Sequence, residues 1–276
     1  MARILGVCNQ KGGTGKTTTA INLSSFLGLA QENTLLIDMD PQGNATSGSG
    51  VTSEGKNSIY DVILGRVPIE ESIYPTDWAR LSIIPADISL TGGEIELVEK
   101  SHREALLRQE LAKISDRYSY ILIDAPPSLG LLTVNVLAAA DALVIPLQCE
   151  YYALEGVSKL LHTIELVKAR INPELEVEGV LLTMADFRTR LALQVIEEVR
   201  AYFKERAFNT IIPRNIKLAE APSFGKPIYY YDGACVGAKA YQNLAEEIVH
   251  RKFDPDPGVT APRPGPGVFQ RDIKEA

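Results

Sequence analysis

Short apolar runs rich in β-branched residues alternate with longer amphipathic stretches along almost the whole chain. The runs at 4–9, 34–38, 81–85, 120–124, 142–147, 177–184 and 209–212 are mostly continuous rather than alternating. That is the pattern of strands buried on both faces of a parallel sheet. Helical spacing falls between them, at 16–30, 103–114, 131–139, 154–171, 194–204 and 238–252. Val157, Leu160, Leu161, Ile164 and Val167, for example, share one helical face. Strand–helix alternation joined by right-handed crossovers predicts an α/β fold, a doubly wound, mostly parallel sheet flanked by helices. Ligands of such sheets bind at the carboxyl ends of strands, so the loops after Asn9, Asp38 and Asp124 are predicted to share one rim.

The alternation stops near Phe253. Beyond it Pro255, Pro257, Gly258, Pro262, Pro264, Gly265, Pro266 and Gly267 crowd a short stretch. Such a composition cannot bury enough surface to order itself, which predicts one domain at 1–253 and a disordered tail at 254–276. The 276 residues suffice for a well-buried core, and no apolar run is long enough to span a bilayer. The start of the chain enters a strand-like run without a signal-peptide core, and Cys8, Cys149 and Cys235 lie far apart. A soluble protein of the reducing cytoplasm is expected, without a disulfide framework or zinc site. The net charge of −7 argues mildly against a surface built for nucleic acid, so any DNA binding must come from a local basic patch.

One segment changes the picture. The run Ile4-Leu5-Gly6-Val7-Cys8-Asn9 leads into Gln10-Lys11-Gly12-Gly13-Thr14-Gly15-Lys16-Thr17-Thr18 and then a helix. Strand, glycine-rich turn and helix N-terminus form a nest of backbone N–H groups for phosphate oxygens. Lys16 then reaches the β- and γ-phosphates and the Thr17 hydroxyl holds Mg²⁺. The ordinary phosphate-loop motif fails by one residue, since Gln10 stands where its first glycine belongs. In exchange the loop carries Lys11 and the pair Gly12-Gly13.

Two strand ends nearby are acidic. Asp124 closes the run Tyr120-Ile121-Leu122-Ile123, where a Mg²⁺-organising carboxylate belongs. With Ala125-Pro126-Pro127 following, it also fits a turn former or helix cap. Asp38 and Asp40 close another run, and one of them can position an attacking water.

These residues resemble the ParA/Soj group of chromosome- and plasmid-partitioning ATPases, P-loop NTPases of the deviant Walker A class that includes MinD and the nitrogenase iron protein. The resemblance runs from about residue 3 to about residue 250. Besides the loop it is carried by the stretches at 38–46, 124–130, 148–156, 212–215 and 220–227. It implies an ATP-driven sandwich dimer in which Lys11 of each subunit reaches the phosphates held by the other. It further implies that Asp40 positions water, that Asp124 organises Mg²⁺ through a water, and that Pro213 and Asn215 contact adenine. Arg188 and Lys217 match positions that touch DNA without sequence preference, with Arg190 and Arg214 nearby. A ParB-type centromere-binding partner that stimulates slow hydrolysis is implied too, as is a cytoplasmic, nucleoid-associated location with no membrane binding. One departure is Cys235-Val236, where many relatives carry serine followed by a basic residue. Three rivals are weaker. A MinD-like membrane binder needs an amphipathic C-terminal helix, which the prolines of the tail break. An iron–sulfur ATPase needs cluster cysteines at a dimer face. A regulator with incidental hydrolysis is disfavoured by having both Lys16 and Asp40.

Overall fold

The structure, a computed structural model, describes residues 1–150 and 153–251 apart from the side chains of Glu94 and Glu155. The expected tail at 254–276 lies outside the described residues. The strands are β1 (Arg3–Val7), β2 (Thr34–Asp38), β3 (Tyr74–Pro75), β4 (Leu81–Ile84), β5 (Tyr120–Asp124), β6 (Ala142–Gln148), β7 (Glu176–Ala185) and β8 (Ala207–Pro213). They form one sheet in the order β3-β4-β2-β5-β1-β6-β7-β8, parallel throughout except for β3 at the edge. The first strand made is therefore central, and the chain winds outward from it in both directions.

Alternate side chains of the strands feed two cores. Leu35, Ile37, Ile121, Ile123, Leu143 and Ile145 face one side. There they meet α3 (Ile59–Ile63), α5 (Leu106–Leu111), α6 (Leu131–Ala139), α7 (Ala153–Arg170) and α8 (Arg190–Phe203), with α4 (Leu90–Leu97) at the margin. Leu5, Val7, Leu36, Leu122 and Val144 face the other side, against α1 (Lys16–Leu29) and α11 (Val236–His250). Shorter helices, α2 (Asn44–Gly48), α9 (Ile216–Glu220) and α10 (Ile228–Asp232), fill the rim on that side. The α1 helix sits so close to the chain before β4 that a Cβ on Gly28 would lie 2.1 Å from the Ala79 carbonyl oxygen.

The doubly wound sheet matches the expectation, and the differences lie at element ends and in short elements, β3, α2, α3, α4, α9 and α10, that the pattern did not predict. The first strand ends at Val7 rather than residue 9, because Asn9 turns away and its Nδ2 donates to the Pro146 carbonyl at 2.7 Å. The helix expected over 103–114 shrinks to α5, since the chain passes through a positive φ at His102 before it can wind. Conversely α8 starts earlier than expected: Thr189 caps it, its hydroxyl accepting the Ala192 N–H at 3.3 Å. Likewise α11 starts at Val236, where the Cys235 Sγ accepts the Ala238 N–H at 3.4 Å. Among the described residues no helix is long and apolar enough to cross a membrane.

Candidate nucleotide-binding site

The loop between β1 and α1 takes the shape that phosphate binding requires. Gly13 and Gly15 have φ of 74° and 88°, a region that L side chains disfavour. Gly15 is the N-cap of α1, no side chain caps that end, and the first turn holds no acidic residue. The free N–H groups and the positive end of the helix dipole are thus left for an anion. Thr183 of β7 braces the loop by donating its hydroxyl to the Thr14 carbonyl at 2.9 Å. Gly12 is exposed, while Thr17 and Thr18 stand half-buried in the first turn of α1.

Lys16, the first residue of α1, closes this loop and is buried. Its Nζ donates to the Lys11 carbonyl at 3.3 Å. Burial lowers its pKa, opposed by the negative charges of Asp124 and Asp40. A phosphate oxygen at this point would satisfy an ammonium that now leans on one backbone carbonyl.

Sheet register brings the acidic residues together. Asp124 stands opposite Val7 on one side and opposite Asp38 on the other, at the carboxyl ends of three neighbouring strands. Asp124 is fully buried, and neither carboxylate oxygen has a hydrogen-bond partner among the described residues. Burial and repulsion from Asp38 hold its carboxyl well above the usual range, although the nearby Thr17 hydroxyl and Lys16 favour the charged form. The Thr17 influence is one of proximity, since no bond of hydrogen-bonding geometry joins the pair. An orphaned carboxylate beside a threonine hydroxyl suits Mg²⁺, which takes one or two protein groups and completes its shell with phosphate and water. No group of three or more acidic, histidine or cysteine side chains suited to a metal occurs among the described residues.

Asp38 has no oxygen to spare. Its Oδ1 accepts the Asp40 N–H at 3.1 Å, and its Oδ2 accepts both the N–H and the hydroxyl of Thr46 at 2.8 Å. Asp38 ties α2 to the sheet through Thr46 and fixes the backbone of Asp40. Asp40 itself is buried and uses one oxygen, Oδ1, to accept the Gln42 N–H at 3.0 Å.

On the far wall, β8 ends at Pro213, with Asn215 just beyond. Asn215 occupies the N-cap of α9, yet its side chain makes no capping bond, and its Oδ1 is buried without a partner. A buried orphan acceptor of this kind calls for a donor from a ligand or water.

Lys11 is exposed, and its Nζ lies 2.8 Å from the Glu150 Oε2. Arg188 and Lys217 lie beyond the carboxyl ends of β7 and β8, on the same rim as the loop. Each is also paired: Arg188 with Asp186 at 2.7 Å, and Lys217 with Glu220 at 2.9 Å. The Arg188 guanidinium holds the Asp186 carboxyl down to about 2. The basic patch expected from the sequence is thus balanced locally by carboxylates that spacing alone did not flag. Cys8 and Cys149 are buried, and burial pushes their thiols up to about 12 and about 11, far from cluster ligands.

Comparison with known proteins places this geometry. A family described as an AAA domain matches residues 2–177. Over 258 residues, 93% of this chain and 91% of the relative, the sequence is 53% identical to the chromosome partitioning protein ParA of Myxococcus xanthus. The chain belongs to the ParA/Soj family of partitioning ATPases. The sporulation initiation inhibitor protein Soj of Bacillus subtilis is 51% identical, covering 90% of this chain and 98% of that protein. Among solved structures, a putative plasmid partition protein of Borrelia burgdorferi bound to AMPPNP has a TM-score of 0.76 at 27% identity, covering 90% and 99% of the two chains. A protein named cobyrinic acid a,c-diamide synthase, from Mycobacterium smegmatis with ADP and magnesium, has a TM-score of 0.78 at 35% identity, covering 89% and 93%. The ParA/Soj fold is that of a P-loop ATPase, and solved relatives of it hold adenine nucleotide and magnesium.

Proposed function

We propose that this ParA/Soj chain is an ATP-switched partitioning ATPase whose ATP-bound dimer binds DNA non-specifically and lets go on hydrolysis. The observation that carries the reading is the buried, unpartnered Asp124 carboxylate lying against a bare helix N-terminus and a buried Lys16. That combination costs stability unless Mg²⁺ and phosphate complete it. Relatives near 50% identity, rather than the 35% neighbour, support the biological role.

In this reading the backbone N–H groups from Gly12 to Thr18 and the Lys16 ammonium hold the phosphates. Thr17 and Asp124 would hold Mg²⁺, Asp124 through a water, and the ion would neutralise charge building on the phosphates. Asp40, fixed by Asp38, positions the attacking water with its free oxygen. Its task is alignment rather than strong base catalysis, since phosphoryl transfer depends mainly on positioning and charge. Pro213 flanks the adenine, and the orphan Asn215 Oδ1 accepts from its amino group. Lys11 crosses to the partner subunit's nucleotide, so the site is complete only in the dimer. Dimerisation doubles the cationic rim of Arg188 and Lys217, which reconciles DNA affinity with an acidic chain. A ParB-type protein would stimulate hydrolysis and so time DNA release, with the chain working in the cytoplasm on the nucleoid.

The test is DNA binding by the full chain with ATP, ADP or no nucleotide, over a salt series, for wild type, Lys16→Ala and Asp40→Ala. Binding should need ATP, vanish in Lys16→Ala, persist in Asp40→Ala and fall steeply with salt. The double variant Arg188→Glu, Lys217→Glu should lose it. ATP hydrolysis without DNA binding under any nucleotide would keep the ATPase and sink the partitioning mechanism.

A further inference from the structure

The contact between Lys11 and Glu150 joins residues far apart in sequence and is held at both ends. On the acidic side, the Gln148 Nε2 donates to Glu150 Oε1 at 2.5 Å while Lys11 Nζ takes Oε2 at 2.8 Å, so both carboxylate oxygens are engaged. The backbone beneath is fixed as well: Cys149 N donates to the Thr183 carbonyl at 3.1 Å, and Ala153 N to the Glu150 carbonyl at 3.0 Å. On the basic side, the Lys11 N–H donates to Asn9 Oδ1 at 3.1 Å, and Asn9 is itself tied to Pro146 of β6. The Lys11 carbonyl accepts from the Thr14 hydroxyl at 3.4 Å and from Lys16 Nζ at 3.3 Å.

We propose that Glu150 is a latch that keeps Lys11 turned onto its own subunit, and that nucleotide binding releases it for the partner's phosphates. The proposal rests on the dimer reading given above. Its physical basis is an exchange of partners. Lys16 gives its ammonium to the Lys11 carbonyl, and Lys11 gives its own to Glu150. A bound triphosphate draws Lys16 away and removes one tether from Lys11. The phosphates of the facing subunit then offer Lys11 several negative charges in place of one carboxylate. The pair is about half exposed on both sides, 45% for Lys11 and 47% for Glu150, so it is weak enough to open yet sufficient to bias the unliganded chain. Glu150 thus acts through Lys11, as a positioning residue with no contact to the reacting atoms.

The experiment is sedimentation of the full chain with Mg²⁺ and a non-hydrolysable ATP analogue, over a protein concentration series. Wild type is compared with Glu150→Gln, Glu150→Asp and Lys11→Ala. Two latches open per dimer and each exposed pair holds by about 1.4- to 5-fold, so Glu150→Gln should lower the dimerisation midpoint by roughly 2- to 25-fold. Glu150→Asp, which keeps the charge, should stay nearer wild type. The difference should collapse at about 1 M salt, where charges are screened within ~3 Å, a response that a purely structural role of Glu150 would not give. A midpoint unchanged or raised in Glu150→Gln at low salt, with Lys11→Ala monomeric, overturns the latch and leaves the dimer reading standing. If Lys11→Ala dimerises like wild type, the crossing of Lys11 fails first and the latch falls with it.

Discussion

Replacing Asp124 with Asn should stabilise the chain without nucleotide and at the same time remove its response to Mg²⁺. The carboxylate is fully buried, has no hydrogen-bond partner for either oxygen among the described residues, and sits opposite Asp38 in the sheet register. A buried polar group left unsatisfied costs about 1–3 kcal/mol, and more when charged. Asn keeps the shape and still leaves an unpaired amide, but it removes the charge and the repulsion from Asp38. The net gain should be about 1–2 kcal/mol, which for a domain of this size raises Tm by about 2–8 °C. The gain should depend on pH. Because the folded carboxyl sits above its ordinary value of 3.8, the folded chain still holds a proton that the unfolded chain has released. Wild-type stability should therefore decline as pH climbs from the ordinary carboxylate range through the folded pKa, and Asp124→Asn should lack that decline. With nucleotide the order reverses. At ligand a hundredfold above Kd, wild type should gain about 2.7 kcal/mol, and chelating Mg²⁺ should remove much of it. In Asp124→Asn, chelation should change little. Scanning calorimetry of both proteins with ADP, with ADP and Mg²⁺, and with neither measures all of this. A variant less stable than wild type when unliganded, or one that keeps the full Mg²⁺ increment, would refute the reasoning.

Three further outcomes follow from contacts away from that carboxylate. Cys235→Ser should raise stability by up to ~1 kcal/mol in thermal or urea denaturation, because a hydroxyl is a stronger N-cap acceptor for the Ala238 N–H than the thiol now 3.4 Å away. The Asp186 carboxyl should titrate near 2 by NMR and return towards 3.8 in Arg188→Gln; the pair is intact above that midpoint and opens as pH falls through it. Gly28→Ala should destabilise by at least about 1–3 kcal/mol, lowering the urea midpoint, since its methyl would meet a carbonyl oxygen at 2.1 Å in a place where neither backbone can give way easily.

The strands were legible because most of the runs are apolar with little interruption, as β2 and β5 show at every position from Leu35 to Ile37 and Ile121 to Ile123. The sequence hid β3, two residues long with a proline, because an edge strand needs neither alternation nor a long run. The short helices α2, α3, α9 and α10 are too brief to show a 3.6-residue stripe, and the turn at His102 cut short a helix whose spacing looked sound. The phosphate loop was readable because its parts are contiguous. Asp124 was readable in position but not in condition, since its lack of partners depends on which strands flank it. Glu150 was invisible as a partner for Lys11 because the two lie 139 residues apart and meet only where loops end up; Asp186 and Glu220 lie two and three residues from Arg188 and Lys217, and local spacing could have flagged them. The orphan Asn215 oxygen could not be read either, since asparagine at a helix start ordinarily caps it.

The central place of β1 also governs how the chain can be made. Residue 3 pairs with residue 120, and residue 5 with residue 142, so the strand bearing the phosphate loop leaves the ribosome long before either neighbour. At ordinary synthesis rates of ~5–20 residues per second, it waits roughly 6–23 s with both edges unpaired and roughly 7–27 s before its second edge can pair. During that interval the nascent chain exposes a bare apolar strand open to wrong pairings. The strand that bears the phosphate loop gains its second neighbour only once β6 has emerged, about halfway along the chain.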